Sequence, residues 1–140
     1  MQPETGVRET YRIEGVYQIT HEDYVNGKIF EDSVCYSFYP IDLHDKKGIV
    51  PRHLPEGVVA TIPLRALVPK DSRNLLVAGR CLSSDRLANS ALRIQASCMA
   101  MGQAAGAAAA IACKFKTTPM ETPIDQIKHL IEENGGIIPS

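Results

Sequence analysis

Apolar and β-branched positions come early in the chain. Residues 7–20 read VRETYRIEGVYQIT. Val7, Tyr11, Ile13, Val16, Tyr17 and Ile19 favour extended backbone and Gly15 interrupts them, so two short strands meeting near Gly15 are predicted. Thr20 before His21-Glu22-Asp23 is a helix N-cap pattern, and Asn26-Gly27 ends that short helix. SVCYSFYPIDL at 33–43 predicts a strand, 44–57 a loop, and VVATIPLRALV at 58–68 a second strand region broken by Pro63. The cluster Pro69 to Asn74 predicts a turn. Leu75-Leu76-Val77-Ala78, a short apolar run ending at Gly79, predicts a strand buried on both faces, as in a parallel sheet. Residues 81–92 read as mostly loop, and Arg93 to Lys114 as one long alanine-rich helix. After the break at Thr117-Thr118-Pro119, residues 123–134 predict an amphipathic helix with Ile124, Ile127, Leu130 and Ile131 on one face. Pro123 suits its start, and Gly135-Gly136 its stop.

The long helix carries the most information. Ala96 to Cys113 is a run without a charge, and Gly102 with Gly106 forms a G-x-x-x-G. A membrane span is one reading. Alanine contributes little transfer energy, and Gln103 is polar, whereas a span needs roughly 20 strongly apolar residues. The reading adopted is close packing. Each glycine costs about 1 kcal/mol against alanine inside a helix, and an unusually near approach of helix to sheet compensates. A buried strand, a loop and the start of a long helix together form the kind of corner where open α/β sheets bind ligands. The helix start presents unsatisfied N–H groups and roughly half a positive charge.

Composition narrows the function classes. Fifteen basic against sixteen acidic residues, a net charge of −1, leave no electrostatic footprint for nucleic acid or an acidic membrane. A length of 140 residues suffices for one ordinary core. Cys35, Cys81, Cys98 and Cys113 form no C-x-x-C, and no histidine completes a zinc pattern, so no metal site is expected. Reduced, mostly buried thiols point to a reducing, cytoplasmic compartment. Met1 is followed by a polar stretch with no apolar signal-peptide region.

The stretch LLVAGRCLSSDRLANSALRIQASCMAMGQAAGAAAAIA resembles the C-terminal signature of the FAD-dependent oxidoreductase family. It is more distantly similar to the fumarate reductase and succinate dehydrogenase flavoproteins. RETYRIEGVYQITHEDYVNGKIFEDSV, YPIDLHD and IPLRALVPK upstream also look like that family, so the resemblance covers roughly residues 6–136. It implies an α+β or α/β piece, the C-terminal part of an FAD/NAD(P)-binding-type fold, with a long small-residue helix packed on a sheet. Residues 1–62 then belong to a β-rich, substrate-facing region, and 63–140 to the C-terminal part of the FAD-binding domain. The cofactor implied is FAD. Gly79 and Arg80 sit where related flavoproteins place Gly-Asp or Gly-Glu near the ribityl chain and pyrophosphate. Arg80 departs from that pattern and is suited to phosphate instead. Backbone N–H groups near Ile94, Gln95 and Ala96 would face the pyrimidine edge of the isoalloxazine, where charge builds on reduction. His44 is the acid/base or substrate-binding candidate. Arg93 pairs with substrate or flavin, or with Asp85 across the loop. Arg8, Glu9 and Arg12 form an R-E-x-x-R stretch beside the substrate region or an ordinary strand-surface ion pair.

Such a flavoprotein also needs a G-x-G-x-x-G between a strand and a helix for the pyrophosphate, and the 140 residues contain none. Gly102 to Gly106 is no substitute, because it lies within a helix. Three readings follow: an oxidoreductase part that supplies the isoalloxazine-facing wall, a non-catalytic remnant acting as an interaction module, or a subunit completing an FAD site in trans. The exposed sheet edge and apolar face implied by the absent strands predict a homo-oligomer, or a separate N-terminal FAD-binding segment as partner. The chain alone is expected not to bind FAD tightly.

Overall fold

The computed structural model describes residues 11–43 and 51–139. Among these residues there are four helices, α1 (His21–Val25), α2 (Arg86–Leu92), α3 (Gln95–Phe115) and α4 (Ile124–Glu133), and two strands, β1 (Ser33–Ser37) and β2 (Ala60–Pro63). It is an α+β arrangement in which α3 lies on the two-stranded antiparallel sheet and α4 packs along α3.

Local chemistry explains the short elements. Thr20 and Asp23 form a capping box: Asp23 N–H donates to Thr20 Oγ1 at 3.1 Å and Thr20 N–H to the Asp23 carboxylate at 3.0 Å. Asn26 caps the other end, and Gly27 follows at φ +61°, where a β-carbon would stand 2.6 Å from Val58 Cγ1. Pro63, with no N–H to donate, closes β2, and the chain continues as a 3-10 turn over Leu64–Ala66. The strands pair Cys35 with Ile62, Tyr36 with Thr61 and Ser37 with Ala60, with an irregularity between Ser33 and Cys35. Ser33 and Thr61 hydroxyls meet across the sheet at 2.7 Å, and Ser37 meets Ser97 of α3 at the same distance. These bonds satisfy polar groups in an interior otherwise made by Ile19, Tyr24, Ile62, Leu67, Leu82, Leu92, Met101 and Ile127. Ile127 and Ile131 are the fully buried positions of α4, with Ile124 and Leu130 beside them.

A surface cluster secures α1. The Asp23 carboxylate accepts from Lys28 Nζ at 2.7 Å and from the Tyr17 hydroxyl at 2.7 Å. Lys28 and Arg65 lie over the Tyr17 and Phe30 rings, at 4.9–5.7 Å from their centroids. Burial alone would raise the Asp23 carboxyl, but the hydrogen bonds from Lys28, Tyr17 and Thr20 outweigh it and hold it at about 2.

Several elements differ from the sequence expectation. Between Tyr11 and Thr20 the backbone makes isolated bridges, Gly15 with Pro69 and Ile19 with Ser84, and no strand ladder; residues 7–10 lie outside the described residues. Leu75–Ala78 is not a strand. It makes one backbone bond, Val77 N–H to Leu67 C=O at 2.8 Å, and Leu75 is 52% exposed. An apolar run becomes a central strand only where neighbouring strands lie on both sides, and among the described residues no parallel ladder exists to receive it. Within 81–92 the chain forms α2, because Asp85 supplies a side-chain cap that the loop reading overlooked. A break at Arg93 and Ile94 delays the long helix to Gln95.

The two helix glycines also behave otherwise than expected. The buried side of α3 is Ser97, Met101, Ala104, Ala107, Ala108 and Ala112. Gly102 and Gly106 are on the opposite, exposed face with Met99, Ala109 and Cys113, and a β-carbon at either glycine would meet nothing within 4 Å. They do not mediate the helix–sheet contact; alanines do. By length and composition α3 could cross a membrane, at mean hydropathy 1.4, but here one side of it rests on the sheet and α4.

Gly102→Ala and Gly106→Ala should each stabilise the isolated chain by roughly 0.5–1 kcal/mol in urea unfolding. Gly136→Ala should destabilise it, since its β-carbon would run into Ile131 Cγ2 and the Gln103 amide; equal effects at all three positions would contradict this packing. Asp23 has a folded value below its ordinary 3.8, so its stabilising contribution is complete above about pH 4 and is lost as pH falls toward 2. The urea midpoint of Asp23→Asn should therefore lie below that of the unaltered chain at pH 6 and converge with it in strong acid.

Candidate functional site

The corner between residues 78 and 98 is built from a turn, a short helix and the start of a long one. Gly79 adopts φ +92°, a conformation that favours glycine, and Leu82 N–H closes the turn onto its carbonyl at 3.1 Å. The turn is held from several directions. Ile13 N–H donates to Cys81 C=O at 2.9 Å, Ser83 N–H to Ala66 C=O at 3.0 Å, and Ile19 N–H to Ser83 C=O at 3.1 Å. Asn89, buried on α2, donates both amide hydrogens into it, to Arg80 C=O and Ser84 Oγ, each at 3.1 Å. The Asp85 carboxylate caps α2 through Ala88 N–H at 2.8 Å and takes the first N–H of α1, from His21, on its other oxygen.

Gly79, Ile94, Gln95 and Ala96 meet at this corner. The position a Gly79 β-carbon would occupy is 3.8 Å from Cys98 Sγ, so the first turn of α3 begins beside Gly79. Ile94 is the N-cap, extended at φ −72° and ψ 158°, and no side chain caps the helix. The first amide bonded back is Cys98 N–H, to Ile94 C=O at 2.9 Å. Among the described residues none accepts from the N–H groups of Gln95 or Ala96, and both residues are exposed. The start of this 21-residue helix thus leaves two backbone donors without a protein acceptor at the positive end of its dipole.

Arg80 is exposed on the same turn, near enough for its charge to act on the Cys98 thiol. Arg93 lies at the break between α2 and α3 but points elsewhere. Its Nη2 donates to Asp42 C=O at 3.2 Å, while Nε is buried without an acceptor. The Asp85 carboxylate is taken by backbone amides and is not its partner. Asp42 N–H in turn donates to Ser90 Oγ at 3.1 Å, so α2 and Arg93 together hold the chain at residues 41–43. His44 comes directly after Leu43 and lies outside the described residues, as do Arg8 and Glu9. Arg12 lines a cavity of about 710 Å³ with Glu14, Gln18 and Lys70; it borders the corner at Ser83 and Ser84, but Gly79, Arg80 and residues 94–96 do not line it.

From the sequence Asn89 was not singled out, Asp85 entered only as a possible partner of Arg93, and Cys98 only as a reduced thiol. For Asp85 a signal existed, an aspartate three residues before Ala88 at the head of a helical pattern. Asn89 and Cys98 owe their importance to the turn folding onto them, and no local pattern announces that.

A family model described as FAD dependent oxidoreductase matches residues 1–131, and the chain belongs to that family. No curated protein and no solved structure matches it.

Asn89→Ala should leave the Arg80 carbonyl and Ser84 hydroxyl without their buried donor, at a cost of about 1–3 kcal/mol. Urea unfolding measures it; a change below a few tenths of a kcal/mol would mean that Asn89 does not hold the turn.

Proposed function

We propose, taking membership of the FAD dependent oxidoreductase family as the premise, that this chain supplies the isoalloxazine-facing wall of a flavin site. The observation that carries the reading is the uncapped start of α3 beside Gly79, where the Gln95 and Ala96 amides have no protein acceptor among the described residues and both residues are exposed. These groups fit the electron-rich pyrimidine edge of a flavin. The donors are backbone, already oriented by the helix, and need no side chain to move when negative charge develops. Gly79 keeps the approach clear, and Arg80 supplies a cation in place of the acidic residue of related flavoproteins, which suits phosphate better than ribityl hydroxyls. FAD, when bound, supplies the hydride acceptor; the protein's part is binding, orientation and charge stabilisation. In this reading the hydride donor is an organic substrate. Arg93 and His44 are the candidates for the substrate side, because Arg93 anchors the segment that leads to His44.

In this reading residues 63–140 belong to the FAD-binding part and 1–62 to the substrate-facing part. The nucleotide end of FAD is held by a G-x-G-x-x-G unit that these 140 residues do not contain. The open face of α3 at Met99, Gly102 and Gly106 would then be covered by that unit or by a second copy of the chain. The second reading is a subunit that completes the site in trans, and the third a remnant that only associates; the same open face is compatible with both.

Gln95→Pro tests the corner. Proline is tolerated at the first helical position, and Ile94 already has the extended conformation that a following proline requires, so the fold should persist while one donor disappears. With FAD followed by fluorescence quenching, the unaltered chain should bind with a Kd of about 100 μM or weaker. Losing the donor should weaken binding roughly fivefold, equivalent to about 1 kcal/mol. Unchanged affinity in a folded Gln95→Pro chain would refute the role of these amides. Stoichiometric flavin in the purified chain would refute the need for an outside nucleotide-binding unit.

A further inference from the structure

Two thiols flank the same peptide of the corner. Cys98 Sγ lies 3.8 Å from the place of a Gly79 β-carbon, and Cys81 Sγ donates weakly to Ala78 C=O at 3.8 Å. One sulfur therefore approaches the Ala78–Gly79 link from the first turn of α3, the other from the turn that Leu82 N–H closes onto Gly79. Both cysteines are partly accessible, unlike Cys35 in the core, while Cys113 sits apart on the far end of α3. Burial raises the Cys98 thiol; the Arg80 guanidinium opposes that, and a charge on Cys81 adds to it, so the three side chains act on one another.

We propose that Cys81 and Cys98 form a redox-sensitive dithiol that, once oxidised, staples the start of α3 to the Gly79 turn. The oxidant is a small-molecule disulfide. The Cys81 thiolate attacks it, forms a mixed disulfide and releases one thiol. Cys98, losing its proton, then attacks the Cys81 sulfur, forms the protein S–S bond and releases the second thiol. Two protein thiols are oxidised, one small disulfide is reduced to two thiols, and no other reactant is consumed. The staple has little tolerance for displacement, since disulfide geometry demands close β-carbons. Closing it draws the α3 start toward residues 79–82 and narrows the space in front of the Gln95 and Ala96 amides. Only this last consequence rests on the flavin reading.

The test uses the Cys113→Ser chain, so that tryptic peptide 94–114 contains a single cysteine. After exposure to oxidised glutathione at pH 8, non-reducing digestion and mass spectrometry should find peptide 81–86 joined to 94–114, two hydrogens lighter than the pair. The link should form several-fold faster in the folded chain than in urea, and disappear in Cys81→Ser. Stable glutathione adducts without a link, products joined only between chains, or a rate no faster than in urea would overturn the pair. The oxidised chain should also bind FAD at least fivefold more weakly than the reduced one. An intact link with unchanged FAD affinity would overturn the gating role and leave the dithiol standing. Failure of the reduced chain to bind any flavin would bear on the flavin reading alone.

Discussion

One carboxylate ties the corner to α1. Asp85 caps α2 with one oxygen and holds the first amide of α1 with the other. Its own N–H is bound to Ile19 C=O at 2.8 Å. An aspartate accepting several amide bonds is an inexpensive way to satisfy helix starts that would otherwise be left open. Because α1 and α2 share it, the short helix α2 cannot rotate independently of the segment 11–20. Its far end, the break at Arg93 and Ile94, is set with it, and so is the point where α3 begins.

The helix starts differ in how their amides are satisfied. The amides at the start of α2 are served by Asp85, and those of α1 by Thr20 and Asp85. The start of α3, the longest helix and the one with the largest summed dipole, has no side-chain cap and faces solvent. The start of α4 at Pro123 is likewise without a side-chain cap, so what sets α3 apart is the neighbouring glycine at φ +92°, which suits the ligand role proposed above. The same corner holds two sulfurs and a guanidinium close enough to influence one another.

The small-residue helix has a comparable asymmetry. Alanines 104, 107, 108 and 112 lie against the rest of the chain, while both glycines look outward. A helical glycine facing water costs stability with no local return. A neighbouring backbone could come closer to that face than to any alanine face.

The capping box at Thr20, the stop at Asn26-Gly27, the end of β2 at Pro63, the length of α3 and the amphipathic face of α4 were legible in the sequence, because each depends on residues within a turn or two of one another. So was the family, carried by a long run of residues around α3. Leu75–Ala78 was misread, because whether an apolar run becomes a strand depends on partners far along the chain. The outward glycines were misread for the same kind of reason: composition told that α3 was small-sided but not which side met the sheet. The tertiary structure alone decided that Ile13, Ile19, Ala66 and Asn89 would close on residues 80–84 and bring Gly79 against Cys98. Those bonds join segments as many as 68 residues apart, Ile13 to Cys81, and no period or cap in the chain encodes a contact made over such a distance.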